Sequence, residues 1–161
     1  WAMDFVHDQL ATGTKIRVLT IVDTFSRYAP AIVPRFSFRA PDVIEVLERV
    51  GAEIGLPRTI RVDQGSEFVS RDLDLWAYQR DVTLDFSRPG KPTDNAFIEA
   101  FNSRLRQECL NASWFLSMPD ARGHEAAPCV EGGGEPHALP PLDNTRGGAL
   151  EVGLVPGKCL P

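Results

Sequence analysis

The stretch TIRVDQGSEF, residues 59–68, decides the fold that this sequence predicts. It begins with a short apolar and β-branched run that is typical of a buried strand, and the run ends at Asp63. Gly65 permits a sharp turn directly afterwards. A carboxylate just past the carboxyl end of a strand lies in the crevice where open α/β sheets place their ligands. The stretch therefore predicts an α/β fold with Asp63 as a candidate site residue.

The residues before this stretch predict three strands and a helix. Residues 1–8, 16–22 and 28–33 have strand composition, and the turns between them favour an antiparallel meander. A helix then begins at Ala40, with apolar residues at helical spacing, and Gly55 ends it.

The residues after it predict a helix over 70–80, a strand over 82–86 and a long helix to about residue 110. Thr93 or Asp94 is expected to cap that last helix. The order β-β-β-α-β-α-β-α describes a mixed five-stranded sheet flanked by helices. This is the layout of a ribonuclease H-like domain.

The last 43 residues differ in composition from the rest of the chain. They contain 15 of the 26 glycines and prolines and no aromatic residue. Such a composition without a repeat is typical of disordered sequence. We therefore expect a folded unit over residues 1–118 and a low-complexity, disordered tail over 119–161; the alternative is a surface extension that packs as coil. The abruptness of the change suggests a frameshift after about Arg122.

The overall composition excludes several classes of protein. A net charge of −5 in 161 residues argues against a strongly basic nucleic-acid binder, although a metal enzyme acting on DNA recruits cations to its own acidic site. No apolar run is long enough for a membrane span, and no signal segment opens the chain. The three cysteines lack Cys-x-x-Cys spacing, so we expect neither disulfides nor a zinc site, and a cytoplasmic location.

Three carboxylates are the candidate catalytic and metal-binding residues. Asp4 lies in the first strand, which in this layout neighbours the fourth, so its side chain and that of Asp63 can converge. Glu99 lies on the polar face of the last long helix, with thirty-five residues between it and Asp63. Such a set could hold two Mg²⁺ or Mn²⁺ ions roughly 3.5–4 Å apart. Ligands that are all oxygen favour Mg²⁺ over zinc.

Each acid also has a purely structural interpretation. Asp63 is a plausible turn former, and a glutamate on a helix such as Glu99 is more often solvated than a ligand. The structural interpretation of Asp4 is an exposed strand acid, but its apolar neighbours indicate a buried strand, where an unpaired carboxylate would be costly. Asp23 and Glu67 are rival acids, and a turn-capping role is the simpler one for Asp23.

Four segments resemble a known family: WAMDFV at 1–6, IVDTFSR at 21–27, RVDQGSEF at 61–68 and SRPGKPTDNAFIE at 87–99. They are similar to the integrase catalytic core of bacterial insertion-sequence transposases of the OrfB type, which are relatives of retroviral integrases. The resemblance covers residues 1–118.

The resemblance implies a function and its partners. The family's Asp-Asp-Glu triad falls on Asp4, Asp63 and Glu99, and its reaction is metal-dependent strand cleavage and strand transfer of transposon ends. DNA (transposon ends and target) and further copies of the chain are then the expected partners, at the bacterial nucleoid. The residues that would contact DNA, from the basic and polar groups around the last helix, are Arg88, Lys91, Asn95, Asn102 and Arg106.

The sequence also departs from that family. The family carries an end-recognition region before the first catalytic strand and a further helical segment after the glutamate helix, and neither is present in these 161 residues. We therefore expect a truncated copy. The alternatives are an inactive remnant that keeps the fold and weak DNA binding, and a stand-alone metal nuclease.

Overall fold

The computed structural model describes residues 1–88 and 96–123. The strands and helices in these residues are, in chain order, β1 (Ala2–Gln9), β2 (Lys15–Val22), β3 (Ala31–Arg35), α1 (Ala40–Ile54), β4 (Thr59–Val62), α2 (Arg71–Gln79), β5 (Thr83–Phe86), α3 (Ala96–Leu105), a π-helical segment (Arg106–Leu110) and α4 (Met118–Gly123). The predicted order of elements is confirmed.

The five strands form one mixed sheet in the order β3-β2-β1-β4-β5. β2 pairs antiparallel with both β1 and β3, and β4 runs parallel to both β1 and β5. The meander and the adjacency of the first and fourth strands are therefore as predicted, and the layout is ribonuclease H-like. The consequence for the site is that β1 is the central strand.

Two apolar layers cover the two faces of the sheet because side chains alternate along each strand. Met3 and Leu19 pack under α1 and α2, whereas Ala2 and Val18 pack under α3, the π-helical segment and α4. Asp4 has the same parity as Ala2. Its side chain therefore belongs to the face that α3 covers.

The last long helix is less regular than its sequence pattern predicts. It is α-helical to Leu105 and continues as one π-helical segment over Arg106–Leu110, where a single α-helix was expected. Its buried side includes Ile98, which is fully buried, together with Phe101 and Leu105. The predicted caps, Thr93 and Asp94, lie outside the described residues.

The folded unit extends past the predicted boundary at residue 118. Helix α4 begins at Met118, which is buried together with Ala121. The hydroxyl of Ser117 accepts a hydrogen bond of 3.3 Å from the N–H of Asp120, whose carboxylate in turn accepts one of 2.9 Å from Leu116. This is a variant of the capping box, and it stabilises the first turn of the helix.

The rest of the predicted tail, residues 124–161, lies outside the described residues, so its disorder and the frameshift stay predictions. In the part of the chain that the structure describes, no helix has the length and apolar character needed to cross a membrane.

Candidate functional site

Asp4 is held at the centre of the sheet by two hydrogen bonds. Its Oδ1 accepts a bond of 2.7 Å from the backbone N–H of Phe5, and its Oδ2 accepts one of 2.9 Å from Nδ2 of Asn102 on α3. The carboxyl group is half-buried. Its orientation is therefore fixed from both the strand and the helix.

Asn102 connects that carboxylate to the neighbouring strand. Its Oδ1 accepts a hydrogen bond of 2.9 Å from the hydroxyl of Thr20, which is opposite Asp4 in the β1–β2 register and completely buried. The Thr20 hydroxyl also lies 3.1 Å from the carbonyl oxygen of Asp4. Both ends of the buried Asn102 amide are thus engaged, as buried polar groups require.

The pKa of Asp4 is raised above its ordinary value, chiefly because burial penalises the charged form. The hydrogen bonds from Phe5 and Asn102 lower the pKa, whereas the negative charges of Asp63 and Glu99 raise it further. The field of both predicted partner acids therefore acts at Asp4.

Asp63 lies one residue beyond the end of β4 and is half-buried. Its Oδ1 accepts a hydrogen bond of 2.9 Å from the N–H of Gly65. A Cβ on Gly65 would lie 2.9 Å from that same oxygen, which is closer than real contacts allow. An alanine at residue 65 would therefore require the Asp63 carboxylate to shift.

Glu99 lies in the first turn of α3 and is exposed. It borders an open groove of about 630 Å³, including space open to solvent, whose other lining residues are Asp4, Phe5, Val6, His7, Asn102, Ser103 and Arg106. The predicted helix face is therefore found, but Asn102 on it is buried where a solvent-facing polar residue was expected.

The three acids suit a hard divalent cation, because all of them offer carboxylate oxygens. A bound cation would also offset the repulsion that Asp63 and Glu99 exert on the charged form of Asp4. Among residues 1–88 and 96–123, however, no three Asp, Glu, His or Cys side chains lie close enough together to hold a metal ion. The residues fit the chemistry of a metal centre. Their present spacing is not that of a closed coordination shell.

The predicted DNA-contacting residues occupy different environments. Arg106 is half-buried beside the groove, and its Nη2 donates a hydrogen bond of 2.6 Å to the carbonyl oxygen of His7. Arg88 is exposed and borders a second, polar groove with Arg61 and Asp85. Lys91 and Asn95 lie outside the described residues.

The rival acids have structural partners instead. Asp23 caps the turn after β2, since its Oδ1 accepts hydrogen bonds from Phe25 and Ser26 at 2.9 and 3.3 Å. Glu67 forms an ion pair with Arg17 on β2. The turn-capping role predicted for Asp23 is confirmed, whereas no local signal in the sequence points from Glu67 to Arg17.

A mixed five-stranded sheet with α1 and α2 on one face and α3 on the other defines a ribonuclease H-like domain. Within that class, the chain belongs to the integrase core domain family. One family model described as integrase core domain matches residues 1–92, and a second with the same description matches residues 80–127. The resemblance seen in the sequence motifs is thereby confirmed.

Two curated relatives come from bacterial insertion elements. The chain is 45% identical over 127 residues to an uncharacterized 31.7 kDa protein of insertion element IS407 from Burkholderia multivorans, covering 79% of this chain and 46% of that protein. It is 41% identical over 122 residues to an uncharacterized 39.2 kDa protein of insertion element IS476 from Xanthomonas euvesicatoria, covering 76% and 35%. The chain thus spans less than half the length of these relatives.

A solved structure has the same fold. The HTLV-2 integrase catalytic core domain, determined in complex with magnesium in a dimeric form, has a TM-score of 0.56 and 18% sequence identity to this chain. The superposition covers 76% of this chain and 79% of that one.

Proposed function

We propose that this chain is the catalytic core of an insertion-sequence transposase, which cleaves DNA strands at transposon ends and transfers them to a target. The observation that carries the proposal is that Asp4 and Glu99 border one groove, in which Asn102 holds the Asp4 carboxylate. Asp63 and Glu99 come from distant parts of the sequence, yet both raise the pKa of this half-buried carboxyl. Functional sites are where such perturbed carboxylates cluster.

Asp4, Asp63 and Glu99 are the residues that would hold two Mg²⁺ or Mn²⁺ ions. Bound there, such ions would supply activation of the attacking water or 3′-hydroxyl and stabilisation of the leaving oxygen. The oxygen-only donor set supports this choice of metal, as does the magnesium in the HTLV-2 core.

The protein's own contribution begins with the orientation of Asp4. Asn102 donates to Oδ2 and the Phe5 N–H donates to Oδ1, so the carboxylate cannot rotate freely. Asn102 is itself fixed by Thr20. Preorganised ligands of this kind lose less freedom when a cation binds.

DNA would lie along the groove beside α3. Arg106 borders that groove and Arg88 lies at the end of β5, and both can pair with phosphates. Lys91 and Asn95 belong to the same proposal by sequence position. We further propose that the core self-associates on paired DNA ends, for which the dimeric form of the HTLV-2 core is the support.

A second candidate function is that of an inactive relative that retains the fold and weak DNA binding. The spacing of the three acids favours it, since no closed metal-binding group exists in the described ranges 1–88 and 96–123. The two candidates differ in DNA cleavage and in the affinity for Mn²⁺.

The decisive experiment incubates the purified chain with Mn²⁺ and a labelled duplex that carries the end sequences of a related insertion element. We expect cleavage by the wild type, loss of cleavage in Asp63→Asn, and no loss in Asp74→Asn, an exposed acid-to-amide control on α2. Cleavage that survives Asp63→Asn would refute the triad. Calorimetry with Mn²⁺ alone separates the two candidates, because the inactive relative binds none.

A further inference from the structure

The strands that carry the first two acids separate just before those acids. β1 pairs with β4 through Ala2, which lies opposite Arg61, and the N–H of Arg61 donates a hydrogen bond of 2.7 Å to the carbonyl oxygen of Trp1. β4 then ends at Val62. Strand pairing therefore does not hold Asp63 beside Asp4.

Side chains on the opposite face of the sheet connect the same two segments. Phe5, the neighbour of Asp4, stacks on Phe68 with ring centroids 5.0 Å apart and an interplanar angle of 14°. The guanidinium of Arg17 lies 4.1 Å from the centroid of the Phe5 ring and pairs with Glu67. We call these four residues, Phe5, Arg17, Glu67 and Phe68, the brace.

The ion pair of the brace is partly enclosed. The side chains of Arg17 and Glu67 are 23% and 15% exposed. The pKa of Glu67 is lowered, first of all by the hydrogen bond from Arg17, and the Ser66 hydroxyl donates a further bond of 3.0 Å to the carboxylate. Removing one partner from such a pair leaves a poorly solvated charge, and this costs more than losing an exposed ion pair.

The turn between Asp63 and the brace is short and internally bonded. The carbonyl oxygen of Gly65 accepts hydrogen bonds of 3.0 and 2.9 Å from the N–H groups of Phe68 and Val69. The N–H of Gly65 in turn donates to the carboxylate of Asp63. Because the turn is bonded in this way, a displacement of Glu67 would also displace Asp63.

We propose that Arg17 and Glu67 are positioning residues that hold the Asp63 turn against β1 and so set the separation of Asp63 from Asp4. The effect on metal binding rests on the proposed function, whereas the effect on the turn does not. Neither residue touches the groove in which Asp4 and Glu99 lie.

The test compares Glu67→Gln with Glu48→Gln in the full chain. Glu48 is the matched control because its carboxylate also pairs with an arginine, Arg80, and accepts a bond of 2.6 Å from Trp76. Amide hydrogen exchange is measured without added metal. We expect Glu67→Gln to speed exchange at Phe68 and Val69 by about tenfold or more, the size expected for losing a hydrogen bond to a charged group. Glu48→Gln should leave these two amides unchanged.

Unchanged exchange at Phe68 and Val69 in Glu67→Gln overturns the proposal, as does an equal rise in both variants. If Glu67→Gln does not fold, Arg17→Lys carries the test, since it keeps the charge but loses the planar guanidinium. Arg17→Lys should speed exchange at the same two amides, and unchanged exchange in this variant would likewise overturn the proposal.

A second measurement is the Mn²⁺ concentration that half-saturates the protein in calorimetry. It should rise about tenfold in Glu67→Gln, at the lower end of what outer-shell substitutions cost, and stay constant in Glu48→Gln. A constant value in Glu67→Gln counts against the brace. A third outcome is that Glu67→Gln speeds exchange while the wild-type protein binds no Mn²⁺. This outcome would support the role of the brace and refute the proposed function.

Discussion

The side-chain amide of Asn102 donates a hydrogen bond of 2.9 Å to the carboxylate of Asp4, across 98 positions of sequence. Asn102 lies three residues after Glu99, about one helical turn away. The bond therefore ties the helix that carries the third acid to the strand that carries the first. Because the Asn102 amide oxygen accepts a hydrogen bond from Thr20, the amide nitrogen is the atom that faces Asp4.

We expect Asn102→Ala to destabilise the protein by ~1–3 kcal/mol, since it leaves the Thr20 hydroxyl without its side-chain acceptor and removes a donor to Asp4. Urea unfolding measures this difference. Asn111→Ala, at an exposed asparagine, is the control and should have little effect. A loss in Asn102→Ala no larger than in the control would contradict the role assigned to this amide.

Asp4 should oppose folding at neutral pH. Because its pKa in the folded state is raised above the ordinary value of 3.8, the unfolded chain loses the proton first. This group's contribution to the free energy of unfolding is therefore fully present below about pH 3.8 and is lost as the pH rises through the folded pKa.

It follows that Asp4→Asn should raise the free energy of unfolding at pH 7.5 and abolish DNA cleavage, with the gain in stability shrinking as the pH approaches 3.8. Urea unfolding at a series of pH values from about 3.5 to 7.5 measures it. Asp74→Asn on α2 is the comparison. A gain for Asp4→Asn that is the same at every pH would exclude the electrostatic explanation.

Gly65→Ala and Gly13→Ala should have opposite effects. The new Cβ at residue 65 meets the Asp63 carboxylate, so Mn²⁺ affinity should fall while stability changes little. Gly13 has open space but a φ of +81°, so alanine there should cost ~1 kcal/mol or more of stability and leave Mn²⁺ binding intact. Calorimetry and urea unfolding on both variants measure the two effects. Equal Mn²⁺ affinities would show that the carboxylate tolerates the methyl group.

Arg106→Gln should weaken binding to any DNA sequence alike and reduce the slope of log K against log salt by about one, because a phosphate contact is lost. Arg49→Gln removes an exposed charge from α1, on the other side of the sheet, and should change neither quantity. Fluorescence anisotropy at several salt concentrations measures the slope. Equal salt slopes for Arg106→Gln and Arg49→Gln would show that Arg106 does not contact DNA phosphates.

Local signals were sufficient for much of the fold. The bounds of α1 and β4 follow from the glycine after the helix and from the β-branched run that ends at Asp63, and both agree with the structure. The helix predicted over 70–80 is found as α2, with Ser70 as its N-cap accepting a hydrogen bond of 3.2 Å from Leu73. These features depend on residues close together in the chain.

The features that sequence did not predict depend on distant partners. The burial of Asn102 requires Thr20 from β2, and the pairing of Glu67 requires Arg17, fifty positions away. The π-helical segment after α3 likewise has no local signal. The assignment of Asp4, Asp63 and Glu99 as metal ligands stays a prediction, because charges that act on one another need not lie close enough to coordinate one ion.

The alternation along β1 makes this strand intolerant of small changes in length. Asp4 and Phe5 are adjacent in sequence but lie on opposite faces of the sheet, since Asp4 faces α3 and Phe5 is part of the brace. Insertion of a single residue before Asp4 would keep nearly the same composition and exchange the two faces. The carboxylate would then lie among phenyl rings, so mutational tolerance here should be higher for substitutions than for insertions or deletions.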